Sequence, residues 1–113
     1  MFYLKKRIEL AGSHYLDLPY DSKCKNQHGH NWIITVYCKS EELNNSGMVV
    51  DFGDIKTVVN HLDHSHLNDI IEQPTAENIC MYILDSINHF TKSNICYKVK
   101  VQESEGNEVL YED

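Results

Sequence analysis

The sequence predicts an α+β domain, an antiparallel sheet covered on one face by two helices, with elements in the order β-β-α-α-β-β. Three observations predict it. Apolar and polar residues alternate over residues 2–14, 28–39 and 95–103, the period of a half-buried strand. Two central segments space their apolar residues at three and four, as one face of a helix requires. The 113 residues are enough for one core, and they contain no internal repeat, low-complexity tract or linker, so residues 1–113 read as one domain.

In the first strand Phe2, Leu4, Ile8, Leu10 and His14 share one parity, with Lys6 as the exception, and Tyr3, Lys5, Arg7, Glu9 and Ser13 share the other. Pro19, Asp21, Ser22 and Asn26 make residues 15–27 a loop. In residues 28–39, Trp32, Ile34, Val36 and Cys38 continue the parity of His28 and His30. A turn follows at Asn44-Asn45-Ser46-Gly47. Asp51 is placed to cap a helix over residues 53–61, whose face is Phe52, Ile55, Val58, Val59 and Leu62. Pro74-Thr75 opens a second helix with the stripe Ala76, Ile79, Cys80, Ile83, Leu84, Ile87 and Phe90. In the third strand Ile95, Tyr97, Val99 and Val101 fall on one side, and Cys96, Lys98, Lys100 and Gln102 on the other. Glu105-Gly106-Asn107 is a turn before a short strand at Val109–Tyr111.

Composition narrows the class of function. With 42% hydrophobic and 24% charged residues the chain is an ordinary globular protein. A formal charge of −7 argues against nonspecific nucleic-acid binding, which needs a basic surface. No apolar run has signal-peptide or membrane-spanning length, so a soluble cytoplasmic protein without a membrane partner is expected. In that compartment the four scattered cysteines, Cys24, Cys38, Cys80 and Cys96, are expected to be core or chemistry rather than disulfides.

The segment Cys24-Lys25-Asn26-Gln27-His28-Gly29-His30 carries the strongest chemical signal. Alternate residues of a strand share a face, so His28 and His30 aim two imidazoles at one point. His14 ends the apolar face of the preceding strand and is placed to supply a third. Three neutral nitrogens with an open position make a catalytic zinc site, and the all-imidazole set favours zinc over iron. Cys24 lies in a polar loop between Lys23 and Lys25, a setting that favours thiolate and argues against a core role. It is either a fourth ligand closing a structural zinc module or a general base beside an open metal, and both readings stand at this point.

Asp63-His64 is either a polar helix end or an acid–base histidine supported by its neighbouring carboxylate. Glu103 breaks the pattern of its strand by putting a carboxylate at an apolar position. It is either a solvated strand end or an acceptor for paired N–H groups of a heterocycle, such as an aminopyrimidine edge.

These pieces together resemble the 6-pyruvoyl-tetrahydropterin synthase / 6-carboxytetrahydropterin synthase family along nearly the whole chain. The matching residues are His14, Cys24-x-x-x-His28-Gly29-His30-Asn31, Gly47-Met48-Val49-Val50-Asp51-Phe52, Leu62-Asp63-His64, Pro74-Thr75-Ala76-Glu77-Asn78, and Glu103 with Tyr111. The resemblance implies a T-fold (tunnelling fold), with subunits forming a trimeric barrel commonly stacked into a homo-hexamer, a dimer of trimers with sites between subunits. It implies Zn2+ on His14, His28 and His30, Cys24 as base, Asp63 and His64 as relay, and Glu103 as the anchor for a small-molecule pterin substrate. Thr75 and Glu77 fall in a segment near the pterin. The three residues between Cys24 and His28 look like the bacterial 6-carboxytetrahydropterin synthases of queuosine biosynthesis, whereas the animal pyruvoyl enzymes typically have a longer gap. The implied reaction converts 7,8-dihydroneopterin triphosphate to 6-carboxy-5,6,7,8-tetrahydropterin, acetaldehyde and triphosphate, with triphosphate elimination to the pyruvoyl product as the alternative.

Overall fold

Strand β1 (Phe2–His14) pairs antiparallel with β2 (His28–Ser40) along its full length, from Phe2 opposite Ser40 to His14 opposite His28, in a computed structural model that describes residues 1–113. The predicted bounds of both strands hold to within a residue, because period two leaves little freedom where one face is buried. After β2 come helix α1 (Phe52–Val59), the two-residue strand β3 (Ser65–His66), helix α2 (Ala76–Thr91), and the antiparallel strands β4 (Cys96–Ser104) and β5 (Asn107–Glu112). The sheet order is β3-β1-β2-β4-β5.

Both helix starts follow the expected chemistry. The Asp51 carboxylate accepts from the Gly53 N–H, and the Thr75 hydroxyl accepts from the Asn78 N–H. The two helices lie on one face of the sheet, α1 against β1 and α2 against β4 and β5. Trp32, Ile34, Val36, Val99 and Val101 of the sheet are buried against Ile55, Val59, Ile79, Ile83 and Ile87 of the helices. No helix is long and apolar enough to cross a membrane.

Two sequence expectations are corrected. The sheet is mixed rather than antiparallel, because β3 runs parallel to β1, with Ser65 opposite Gly12 and His66 opposite Ser13. After α1 and a 3-10 turn at Asn60–Leu62 the chain returns along the free edge of β1. Two residues are too few to show any period. The second correction concerns the parity of β4. Tyr37 lies opposite Lys98 and Cys38 opposite Cys96, so Tyr97 is an extra residue, a β-bulge. Cys96 therefore joins Val99 and Val101 in the core, and Tyr97 turns outward beside Tyr3 and Tyr37 with Lys39 over its ring.

The loop between β1 and β2 is held unusually. The Asn68 side-chain amide accepts from the Tyr15 N–H and donates to the Tyr15 carbonyl, at 2.9 and 3.0 Å. The Gln73 amide does the same for Asp17, at 3.1 and 2.9 Å. These two amides stand in for a neighbouring strand and continue the line of β1 past His14. Farther on, the Leu16 N–H donates to the Cys24 carbonyl at 2.7 Å and closes the loop on itself.

Candidate metal centre

The register of β1 against β2 assembles the centre. His14 lies directly opposite His28, and His30 lies opposite Gly12, two residues back on the same face. The ring centroids are 4.5 Å apart for His14 and His28, 4.8 Å for His28 and His30, and 5.3 Å for His14 and His30. Glu103, at the far end of β4, completes the group: one donor atom from each of His14, His28, His30 and Glu103 lies within 4.8 Å of all the others. Behind them stands the fully buried Trp32, edge-on to His14 and His30, its indole N–H donating to the Gly12 carbonyl at 3.1 Å.

The outer nitrogens decide what faces inward. His14 Nδ1 lies 2.7 Å from the Pro74 carbonyl, and His28 Nδ1 lies 2.7 Å from the Asn26 carbonyl. A carbonyl only accepts, so Nδ1 carries a proton in both rings, and in a neutral ring Nε2 is the nitrogen left with a bare lone pair. His14 Nε2 and His30 Nε2 are buried without a hydrogen-bond partner. Burial is the main cause that holds the pKa of both rings below the ordinary value. For His14 the Pro74 contact opposes that shift, and for His30 the Glu103 carboxylate opposes it. Neutral imidazoles with orphaned nitrogens are what a metal ligand set requires, and the residues fit a zinc ion of the tetrahedral nitrogen–oxygen type.

Two clefts each include one member of this group. One, of about 550 Å³, is lined by Ser13, His30, Asn31, His64, Ser65 and His66. The other, of about 440 Å³, is lined by Leu16, Thr75, Glu77, Glu103, Asn107 and Glu108. Thr75 and Glu103 thus share a cleft, and His64 and His30 both line the other.

Asp63 and His64 are not on a helix. Asp63 has extended backbone and His64 is left-handed at φ 55°, so the neighbours turn toward each other and His64 Nε2 lies 3.6 Å from Asp63 Oδ2. A left-handed non-glycine residue costs roughly 1–2 kcal/mol. It is held by the His64 N–H donating to the Ala11 carbonyl at 2.7 Å and the Ala11 N–H donating to Asp63 Oδ1 at 2.9 Å. Cys24 sits half-buried on a 3-10 turn at Lys23–Lys25, and the four-donor group does not include it.

Sequence reasoning missed the Pro74 and Asn26 carbonyls, the Ala11 backbone clamp, and His66, which meets Ser13 Oγ at 3.1 Å and stacks on Tyr15. The carbonyls have no residue-type signature. His66, two positions after His64, carried one.

The profile of the 6-pyruvoyl tetrahydropterin synthase family matches residues 3–113. A 6-carboxy-5,6,7,8-tetrahydropterin synthase of Synechocystis is 36% identical over 94 residues, covering 74% of this chain and 72% of its own. The human 6-pyruvoyl tetrahydrobiopterin synthase is 30% identical over 131 aligned residues, covering 96% of this chain and 89% of its own. Among solved structures, the Caenorhabditis elegans 6-pyruvoyl tetrahydropterin synthase superposes with a TM-score of 0.78 at 24% identity, over 99% of this chain and 95% of that one, a likeness of fold. The match along the chain, set on a fold whose first hairpin gathers three histidines, places this protein in the 6-pyruvoyl tetrahydropterin synthase family of pterin-converting lyases.

Proposed function

We propose that this chain is a zinc-dependent 6-carboxy-5,6,7,8-tetrahydropterin synthase, acting on 7,8-dihydroneopterin triphosphate and releasing 6-carboxytetrahydropterin, acetaldehyde and triphosphate in queuosine biosynthesis. The observation that carries the reading is the cluster of His14, His28, His30 and Glu103, with two buried imidazole nitrogens unpartnered and Glu103 lining a cleft with Thr75. The Synechocystis relative and the short Cys24-to-His28 spacing support the carboxy branch.

His14, His28 and His30 would hold the zinc. When bound, the ion acts as a Lewis acid on oxygens of the substrate side chain and eases enolisation. Glu103 accepts the paired N–H groups of the pterin edge and sets the side chain in register with the histidines. Thr75 and Glu77 line the same cleft beside it. Cys24 removes or returns a carbon-bound proton, and His64, oriented and charge-supported by Asp63, handles the opposite transfer. Trp32 and the apolar faces of β1 and β2 exclude water from behind the rings.

In this reading the chains assemble as a homo-hexamer, a dimer of trimers, with sites between subunits. Glu77, Glu103 and Glu108 line the pterin cleft, so a basic residue of a neighbouring copy would balance the triphosphate. The rival is the pyruvoyl branch, favoured by the human enzyme's alignment over 96% of the chain. A mass spectrum of the products from 7,8-dihydroneopterin triphosphate decides between them. 6-Carboxytetrahydropterin with acetaldehyde is expected, and 6-pyruvoyltetrahydropterin without acetaldehyde would transfer the chain to the other branch.

A further inference from the structure

We propose that Cys38 and Cys96 are an oxidation site, which hydrogen peroxide closes into a reversible disulfide across β2 and β4, at the end of the sheet away from the metal centre. The site stands apart from the metal and from the reaction above.

Register puts the two cysteines face to face. Cys38, near the end of β2, is paired with Cys96, the first residue of β4. His28, His30 and Glu103 occupy the opposite ends of the same strands. Both cysteine side chains are buried in the core, at 0% and 1% exposure. Antiparallel pairs alternate between hydrogen-bonded and non-hydrogen-bonded kinds, and the second kind brings Cα atoms to about 4.5 Å with the side chains closest. Two observations assign Cys38 and Cys96 to the second kind. The next pair along carries a main-chain bond, the Lys39 N–H donating to the Ile95 carbonyl at 2.9 Å. The Cys96 N–H and carbonyl are both taken by the Asn88 side-chain amide of α2, which accepts at 2.9 Å and donates at 3.0 Å. A disulfide spans Cα atoms about 4.4–6.8 Å apart, so the pair can close without a change of register.

The two sulfurs already influence each other. Contact with Cys96 first, and burial second, push the Cys38 thiol up. The same contact draws the Cys96 thiol down, against the effect of burial. Cys96 therefore ionises first, and its thiolate is the nucleophile. The Cys96 sulfur attacks one oxygen of hydrogen peroxide, breaks the O–O bond and becomes a sulfenic acid, and the released hydroxide takes up the proton that Cys96 gave up. The Cys38 sulfur then attacks the sulfenic sulfur, and the hydroxyl leaves as water with the Cys38 proton. The two thiols lose two electrons, and the peroxide is reduced to two waters.

Asn88 covers the site. Strand β5 ends beside Tyr97, where the Asp113 N–H donates to the Tyr97 carbonyl at 2.9 Å, and Asn88 takes over the edge of β4 at Cys96. Asn88 also lines a cleft of about 500 Å³ with His89, Lys92, Ser93 and Asn94. A small oxidant that enters this cleft meets the side chain whose two hydrogen bonds hold Cys96, and local opening of that clamp exposes the sulfur.

The test treats the full chain with hydrogen peroxide in native buffer, quenches with excess iodoacetamide in denaturant, and maps the peptides by mass spectrometry without reduction. A peptide pair linked through Cys38 and Cys96 is expected, and dithiothreitol should release it. The bond closes the loop from residue 38 to residue 96, so the oxidised protein should unfold at higher urea than the reduced protein, whereas Cys38→Ala should show no such rise. Asn88→Ala should form the link faster, on the order of tenfold, because losing both hydrogen bonds to Cys96 eases local opening. Cys38 and Cys96 recovered as free thiols after Cys24 has been oxidised would overturn the proposal. So would a link that forms only in the urea-unfolded chain, or links spread evenly among the four cysteines. An unchanged rate in Asn88→Ala would overturn the access route past α2.

Discussion

Asp63 has two duties that substitution can separate. Its Oδ1 accepts the Ala11 N–H at 2.9 Å, which ties the segment after α1 to β1, and its Oδ2 faces His64 Nε2 at 3.6 Å. The first duty is structural. Asp63→Ala removes a hydrogen bond to a charged group, worth about 1.5–3 kcal/mol, and leaves the half-buried Ala11 N–H without its acceptor. Asp63→Asn keeps an acceptor at the same place but a neutral one, so its cost should be about 1 kcal/mol. The second duty is chemical. An amide offers His64 no negative charge across the 3.6 Å gap, and the loss of acid–base help is typically about 100-fold or more in turnover. Urea unfolding followed by circular dichroism at fixed protein concentration gives the first number. Product formation from dihydroneopterin triphosphate gives the second. The expected pattern is a mildly destabilised, nearly inactive Asn variant and a clearly destabilised, inactive Ala variant. Equal destabilisation by the two substitutions would refute the structural half of this reasoning. Full turnover of Asp63→Asn would refute the chemical half.

Iodoacetamide in native buffer should label Cys24 before Cys80, because Cys24 is half-exposed, whereas burial against the Val99 and Val109 carbonyls pushes the Cys80 thiol up to about 11; equal rates by mass spectrometry would contradict this. Cys24→Ala should keep its zinc and lose turnover, and loss of zinc would make Cys24 a ligand. In metal-free protein the unfolded chain takes up protons on His14 and His30 as pH falls through about 6.5, while burial keeps the folded rings neutral to lower pH. Stability should be unaffected above that pH and fall below it by up to about 1.4 kcal/mol per pH unit for each ring, and urea midpoints that stay level down to pH 5.5 would count against it. Thr75→Ala removes the cap on the Asn78 N–H and should cost about 0.5–2 kcal/mol in urea unfolding, with an unchanged midpoint as the contrary result.

Strands β1 and β2 were legible because their period is short and one face is buried. For the same reason His14, His28 and His30 could be read onto one face, and Glu103 stood out as a carboxylate where Val99 and Val101 set an apolar pattern. What stayed hidden has no period. One inserted residue at Tyr97 moves Cys96 into the core without altering the composition of β4. Strand β3 has two residues, and its partner in β1 is more than fifty residues away. The partners that fix the His14 and His28 tautomers are main-chain carbonyls, which every residue possesses. Adjacent Asp63 and His64 meet only because His64 is left-handed, a backbone state that the helical spacing around it does not suggest.

The amide clamps of Asn68 and Gln73 have a consequence for how this scaffold can change. They fix Tyr15 and Asp17 by main-chain bonds alone, and the Leu16-to-Cys24 bond then pinches off the segment between. What lies beyond the pinch is a detachable ring of chain whose girth is independent of the histidines at its base. Doubling the length of such a ring costs only about 0.6 kcal/mol in closure entropy. The loop can therefore be resized by insertion or deletion between residues 18 and 23 while the imidazoles stay where the hairpin register puts them. Asn68→Ala or Gln73→Ala would do the reverse, leaving the loop its length and loosening its attachment beside His14.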